Sequence, residues 1–232
     1  VCSSDLVKDI PKVCPVCGGK TEIRQVSNAK ALYCTNPECQ AKHVKAFALF
    51  VSRDALNIEG LSEATLEKFI DRGFIKEFTD IFHLDKWQEE IQTMEGFGEK
   101  SYKNLIANVE KAKVTTLPKV IYALGIPGIG LANAKVICRE FSGDVDRMIY
   151  ATAEELAEIQ GVGEVLAGAF VTYFQDEKHV ESLKRLIAEL EIPKEEESES
   201  QQIFAGVNFV ITGSVEHFAN RGEVKELIES LG

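Results

Sequence analysis

Four short stretches of this chain repeat one pattern, and that pattern limits the fold more than anything else in it. They are NIEGLSEATLEKF (57–69), TMEGFGEKSYKNL (93–105), GIPGIGLANAKVI (125–137) and EIQGVGEVLAGAF (158–170). Their first glycines, Gly60, Gly96, Gly128 and Gly161, are spaced 36, 32 and 33 residues apart. Each copy has an apolar residue two positions before that glycine and another directly after it. A second glycine follows (Gly98, Gly130 or Gly163, replaced by Ser62 in the first copy), then a run with helical spacing. Helical stretches precede the turns: HVKAFALFVSRDAL, FTDIFHLDKW, LPKVIYAL and TAEELAEI. The pattern predicts helix, tight turn, helix, four times. A period in the low thirties also suits tetratricopeptide-type solenoids, but their Trp, Tyr and Pro signatures are missing and they need no G-h-G turn.

The turn has a chemical consequence. The residue between the glycines (Leu61, Phe97, Ile129, Val162) is expected to point inward and pin the hairpin to the core. The glycines leave no side chain above the amides that open the second helix, so a phosphate can reach them. The helix dipole adds partial positive charge there. Lys100 and Lys135 follow their glycines within a turn or two; each reads either as a direct phosphate contact or as an ordinary solvated helix lysine. A module of this kind touches nucleic-acid backbone rather than base edges, so its binding is expected to be independent of sequence.

The charge balance fits a local interface only. The net charge is -11, composed of +3 over residues 1–50, -9 over 51–192, -3 over 193–201 and -2 over 202–232. Backbone amides at helix starts explain how so acidic a chain would still hold phosphates. No apolar run approaches the roughly 18 residues a membrane span needs. The opening VCSSDLVKDI shows no basic region followed by an apolar one, so a cytoplasmic setting is expected. VCSSDL itself reads as a foreign leader.

Four of the six cysteines form a set: Cys14-Pro-Val-Cys17, sixteen residues, then Cys34-Thr-Asn-Pro-Glu-Cys39. Gly18 and Gly19 permit the tight backbone after the first knuckle, and Asn36-Pro37 supplies a turn inside the second pair. Four thiolates fill a tetrahedral zinc shell and leave no open position, which points to a structural site. Two disulfides are the alternative, and they belong in secreted proteins. His43 reads as a surface residue, and Cys138, among Ala134, Val136 and Ile137, as a small core residue.

PKEEESESQ (193–201) reads as an acidic tether. Beyond it, Val207 to Ile211 reads as a buried strand, Thr212-Gly213 as a turn and Arg221 to Leu231 as an amphipathic helix. The expected organisation is therefore a preceding-domain end or leader (1–12), a four-cysteine zinc finger (13–42), a helical domain with four hairpins (43–192), a linker (193–202) and the start of a further α/β domain (203–232). The fold class is multidomain and mainly α.

In order, the four-cysteine finger, FVSRDALNIEGL (50–61), four helix-hairpin-helix motifs and FAGVNFVITG (204–213) resemble the C-terminal half of bacterial NAD-dependent DNA ligase. The resemblance runs from about residue 11 to the end, and its last segment is similar to the opening of a BRCT domain. It implies a monomer that grips nicked double-stranded DNA with its finger and hairpins and joins 3'-hydroxyl to 5'-phosphate in replication and repair. Zinc would be held here by Cys14, Cys17, Cys34 and Cys39. The NAD and Mg²⁺ sites, and the nucleotidyl-transfer lysine of a K-x-D-G motif, would lie elsewhere, since no K-x-D-G occurs in these residues. The implied DNA-binding positions are Gly60, Gly96, Gly98, Lys100, Gly128, Gly130, Lys135, Gly161 and Gly163. Ser62 in the first hairpin and Glu164-Val165 behind the fourth depart from the pattern, which makes those two more structural. Thr212 and Gly213 match a BRCT phosphate position but receive no such role. Two other readings stand beside this one: a non-enzymatic BRCT-bearing or clamp-loader-type DNA-binding module, and a nuclease-associated repair protein with tandem hairpins.

Overall fold

A computed structural model describes residues 10–26, 29–193, 209–210 and 221–230, and the chain divides into two compact units, 1–193 and 194–232. The first unit opens with a two-stranded antiparallel sheet, β1 (Thr21–Val26) and β2 (Ala29–Cys34), paired from Thr21 opposite Cys34 to Val26 opposite Ala29. Helices make up the rest. They are α1 (Gln40–Phe50), α2 (Glu63–Asp71), a 3-10 helix (Phe78–Trp87), α3 (Gln88–Gln92), α4 (Glu99–Ala112), α5 (Leu117–Ala123) and α6 (Leu131–Glu140). After these come α7 (Val145–Ile149), α8 (Ala153–Ala157), α9 (Glu164–Phe174) and α10 (Glu177–Ala188).

The helices share one apolar core. Phe50, Leu66, Phe69, Ile81, Leu105, Ile121, Ile137, Phe170 and Leu183 are all but sealed from solvent, each worth about 1.5–3 kcal/mol relative to exposure. Phe50 stacks on Phe78 at 4.5 Å and Phe74 on Trp87 at 5.0 Å, tying the 3-10 helix to the helices around it. The unit's last residues return to the core: Glu191 N–H donates to the Lys113 carbonyl at 2.7 Å and Thr115 N–H to the Glu191 carbonyl at 3.2 Å.

Four helix pairs pack across the four glycine turns: α1 with α2, α3 with α4, α5 with α6 and α8 with α9. Two of the expected leading helices differ. FTDIFHLDKW is a 3-10 helix kinked at His83, and the helix leading into Gly96 is the short α3 that follows it. A capping box at Glu77 and Asp80 starts the tighter winding there. In HVKAFALFVSRDAL, α1 stops at Phe50, and Val51 to Leu56 form turns closed by Leu56 N–H to the Phe50 carbonyl. α1 also runs through the 42/43 position expected to separate finger from helical domain, since the helix begins directly after Cys39.

Of the second unit, helix α11 spans Arg221–Ser230, where an amphipathic helix is expected. The strand expected over Val207 to Ile211, apart from Phe209 and Val210, and the turn at Thr212-Gly213 lie outside the described residues, as do the acidic tether and the opening VCSSDL.

Candidate functional site

The cysteine set converges. The sulfurs of Cys14, Cys17, Cys34 and Cys39 all lie within 4.8 Å of one another, with Cys17 and Cys34 at 3.5 Å and Cys14 and Cys39 at 3.8 Å. Four thiolates around one ion at a metal–sulfur distance of ~2.3 Å would sit about 3.8 Å apart, so the cluster has the size of such a shell. It is far too open for disulfides, whose sulfurs lie ~2.05 Å apart, and all four thiols are free. The local chain explains the convergence. Gly18 at φ +68 turns the first knuckle back, so that Cys14 N–H donates to the Gly19 carbonyl at 2.7 Å. A Cβ on Gly19 would press on Asn36 Cβ at 3.0 Å and Cys17 Sγ at 3.2 Å, so glycine lets the two knuckles close. Strand pairing then sets Cys34 against Thr21, and Cys39 caps α1.

The thiols differ in acidity. The Gly19 N–H, with help from Asn36, draws Cys17 down to about 6, whereas burial pushes Cys34 up to about 12. Backbone hydrogen bonding lowers Cys14 too. His43 stays out of the cluster, with Nε2 3.8 Å from Glu38. Cys138 is buried, its thiol 4.0 Å from Met148 Sδ.

The second constellation is the glycine turns. Gly60, Gly96, Gly128 and Gly161 all hold positive φ, from +79 to +99. In the last three turns the residue between the glycines donates back to the apolar residue before the first: Phe97 to Met94 at 2.9 Å, Ile129 to Ile126 at 3.0 Å, Val162 to Ile159 at 2.9 Å. An i to i+3 bond with φ positive at the third residue is a type II turn, which demands glycine at that place. Leu61, Ile129 and Val162 are buried as expected, while Phe97 is only partly covered and rests against Phe69 at 5.8 Å.

The second glycines behave differently. Gly98, Gly130 and Gly163 have extended backbone and are the N-cap residues of α4, α6 and α9, none with a side-chain cap. A Cβ on any of them would meet nothing within 4 Å. Neither fold nor backbone angle therefore requires glycine there, and the amides that open these three helices lack intrahelical partners. In the first copy Ser62 fills the same place, and its hydroxyl accepts from the Thr65 N–H at 3.2 Å. Serine's preference for N-caps was the sequence signal for that difference.

The cations do not align with one another. Lys100 is the second residue of α4 and Lys135 the fifth of α6, and both are exposed. The register partner of Lys135 is Lys103, which the motif alone did not single out. Lys103 Nζ donates to Glu99 at 2.6 Å, and this bond holds the Glu99 carboxyl below the usual carboxylate range. At the fourth turn Glu164 stands where Glu99 does, an 84% exposed Val165 takes the place of Lys100, and Gly168 that of Lys103 and Lys135.

The turns also pack in twos. A Cβ on Gly60 would touch Leu105 of α4 at 3.5 Å, and one on Gly128 would meet Leu166 Cδ2 of α9 at 2.6 Å; around Gly96 and Gly161 there is open space. Asn108 of α4 further donates to the Glu59 carbonyl at 3.1 Å. The first turn thus seats on the second hairpin and the third on the fourth.

Known proteins are similar to this chain in sequence. Over 223 residues, 96% of the chain, it is 56% identical to the protein named DNA ligase of Lachnoclostridium phytofermentans. Over that stretch the chain is a relative of DNA ligases. It is 51% identical over 223 residues to the DNA ligase of Ruminiclostridium cellulolyticum and 38% identical over 235 residues to that of Fusobacterium nucleatum. The chain spans about a third of the length of these DNA ligases: 34%, 34% and 33%. A family profile described as helix-hairpin-helix motif matches residues 119–183, which hold the third and fourth glycine turns. Among the described residues no helix is long and apolar enough to cross a membrane.

Proposed function

We propose that this chain is the duplex-gripping part of an NAD-dependent DNA ligase that seals nicks in the bacterial cytoplasm, acting as a monomer with one structural zinc. The observation that carries the reading is the set of three helix starts at Gly98, Gly130 and Gly163, uncapped by any side chain and open above the N-cap. Unpartnered amides plus the helix dipole form an anion site at each, and a row of such sites fits the phosphates of a duplex. Lys100 and Lys135 add direct charge at the second and third hairpins; the fourth has Glu164 and Val165 behind its glycine and contributes least of the three, while Ser62 satisfies its own helix and leaves the first hairpin a structural part. Zinc suits the four cysteines because they supply four thiolates and no open position. It fixes the finger and takes no part in the chemistry.

The test is a fluorescence titration of two unrelated duplexes at several salt concentrations. Binding is expected to be equal for both and in the range of roughly 10⁻⁴ to 10⁻⁶ M. Gly130→Val, whose Cβ enters open space at an extended backbone angle, is expected to keep the helical circular dichroism of the parent and to weaken both duplexes alike. Lys135→Ala lowers the salt slope by about one unit without changing sequence preference. Folded Gly130→Val chain that binds as well as the parent would show the hairpin to be only a turn.

The same reading sets where the bond chemistry is not. In the parent ligase, AMP from NAD is expected on a K-x-D-G lysine, with Mg²⁺ at the phosphates; these 232 residues contain no such motif. Incubated with radiolabelled NAD, Mg²⁺ and nicked DNA, the chain is expected to carry no adenylate and to seal nothing. A labelled chain would place the nucleophile among these residues and refute that assignment.

A further inference from the structure

We infer a second anion site, separate from the glycine turns, in a cleft of about 300 Å³ where the second cysteine knuckle, α1, the start of the 3-10 helix and α10 meet. Its ligand is a single nucleotide, one phosphate with one aromatic base. The cleft's apolar side is formed by Pro37, Ala46, Phe47 and Phe78. Phe50 covers one face of the Phe78 ring and Phe47 meets it edge-on at 5.2 Å, so the aromatic wall is rigid. Bases pack on such walls whatever their sequence.

The polar side is cationic. Lys42 and Lys76 line the cleft, and among the described residues neither is paired with a carboxylate. His43, on α1, also lines the cleft, with Nε2 3.8 Å from Glu38. The carboxylate lining the cleft, Glu77, is taken up by Arg185 at 2.8 Å, which leaves the two lysines unopposed. Two unopposed ammonium groups over an apolar wall suit a phosphate attached to a planar apolar group. A volume at the small end of ligand pockets, roughly 300–1,000 Å³, admits one nucleotide and no more.

Two sources carry this chemistry: a free mononucleotide, or an unpaired nucleotide at a strand end. NMR titration of the isotope-labelled, zinc-loaded chain with AMP, with inorganic phosphate and with a short single-stranded oligonucleotide separates them. AMP is expected to move the amides of Ala46, Lys76 and Ser182. Lys42→Glu with Lys76→Glu weakens AMP by about tenfold or more through the lost charge-assisted bonds. Ser182→Tyr, which narrows the cleft from α10 without touching a charge, weakens it too. Tighter binding of the oligonucleotide than of AMP at these amides assigns the site to a strand end; equal or weaker binding assigns it to the free mononucleotide. The inference fails if phosphate alone binds as well as AMP, if these amides stay still, or if the folded double variant titrates like the parent. It also fails if a blunt duplex gives the same shifts, since the cleft would then be part of the duplex surface. Loss of duplex binding in Gly130→Val, measured separately, leaves it standing.

Discussion

Cys34→Ser is expected to abolish zinc binding and unfold the finger while the helical core keeps its shape. The parent chain is expected to hold one zinc, and the variant close to none by metal analysis after dialysis. A structural four-thiolate zinc contributes about 10–16 kcal/mol of apparent binding free energy near pH 7, nearly all of which appears as folding free energy of the small domain it closes. The finger has little else to hold it. Its described residues include exposed Val13, Val16, Ile23, Leu32 and Tyr33 and few buried apolar groups, and an isolated two-stranded hairpin is marginal in water. The helices are insulated from this loss. Phe47 and Phe50 anchor α1 in the core from the end remote from Cys39, so helical circular dichroism is expected to persist. Because the thiols must shed protons to bind, zinc retention in the parent also falls as the pH is lowered. Full zinc content in Cys34→Ser would remove Cys34 from the ligand set.

Gly128→Ala lowers the stability of the helical unit more than Gly96→Ala does. Both glycines have positive φ, +79 and +87, so either alanine carries a left-handed backbone cost of about 1–2 kcal/mol. Only at Gly128 does the added Cβ also run into a neighbour, Leu166 Cδ2 at 2.6 Å. Leu166 is partly buried against the core, so moving it disturbs the seat of the third turn on α9. Urea denaturation followed by circular dichroism compares the two. Measured against Leu166→Ala alone, Gly128→Ala is expected to cost only the backbone part. Equal losses at Gly96 and Gly128 would mean that the third and fourth hairpins do not bear on each other as the geometry shows.

These effects separate what the residues encode locally from what assembly adds. The turns were legible from sequence because their requirement is local. A type II turn needs positive φ at its third residue, and only glycine supplies that at no steric cost, so Gly96, Gly128 and Gly161 mark themselves, and Gly60 shares their positive φ. The cysteine cluster was legible for a similar reason: two closely spaced pairs of cysteines have few other uses, and the sulfurs converge within 4.8 Å. The recurring apolar positions at Ile58, Met94, Ile126 and Ile159 carry their burial in the pattern as well.

Tertiary structure alone decided the rest. Sequence treats the two glycines of each pair as one motif, yet the first is fixed by backbone angle and the second only by what approaches from outside, a distinction visible once the space around each Cβ is known. It sets the first and fourth turns apart, yet the covered ones are the first and third: Gly60 and Gly128 lie under leucines from the next hairpin while Gly96 and Gly161 do not. FTDIFHLDKW has helical spacing but winds as a 3-10 helix, because its ring contacts with α1 and its link to α10, His83 to Glu189 at 3.1 Å, come from residues far away in the chain. Local propensity determined where the chain turns and where its four cysteines gather. Which turn lies open and which is covered depended on side chains thirty or more residues away, whose positions only the packed core specifies.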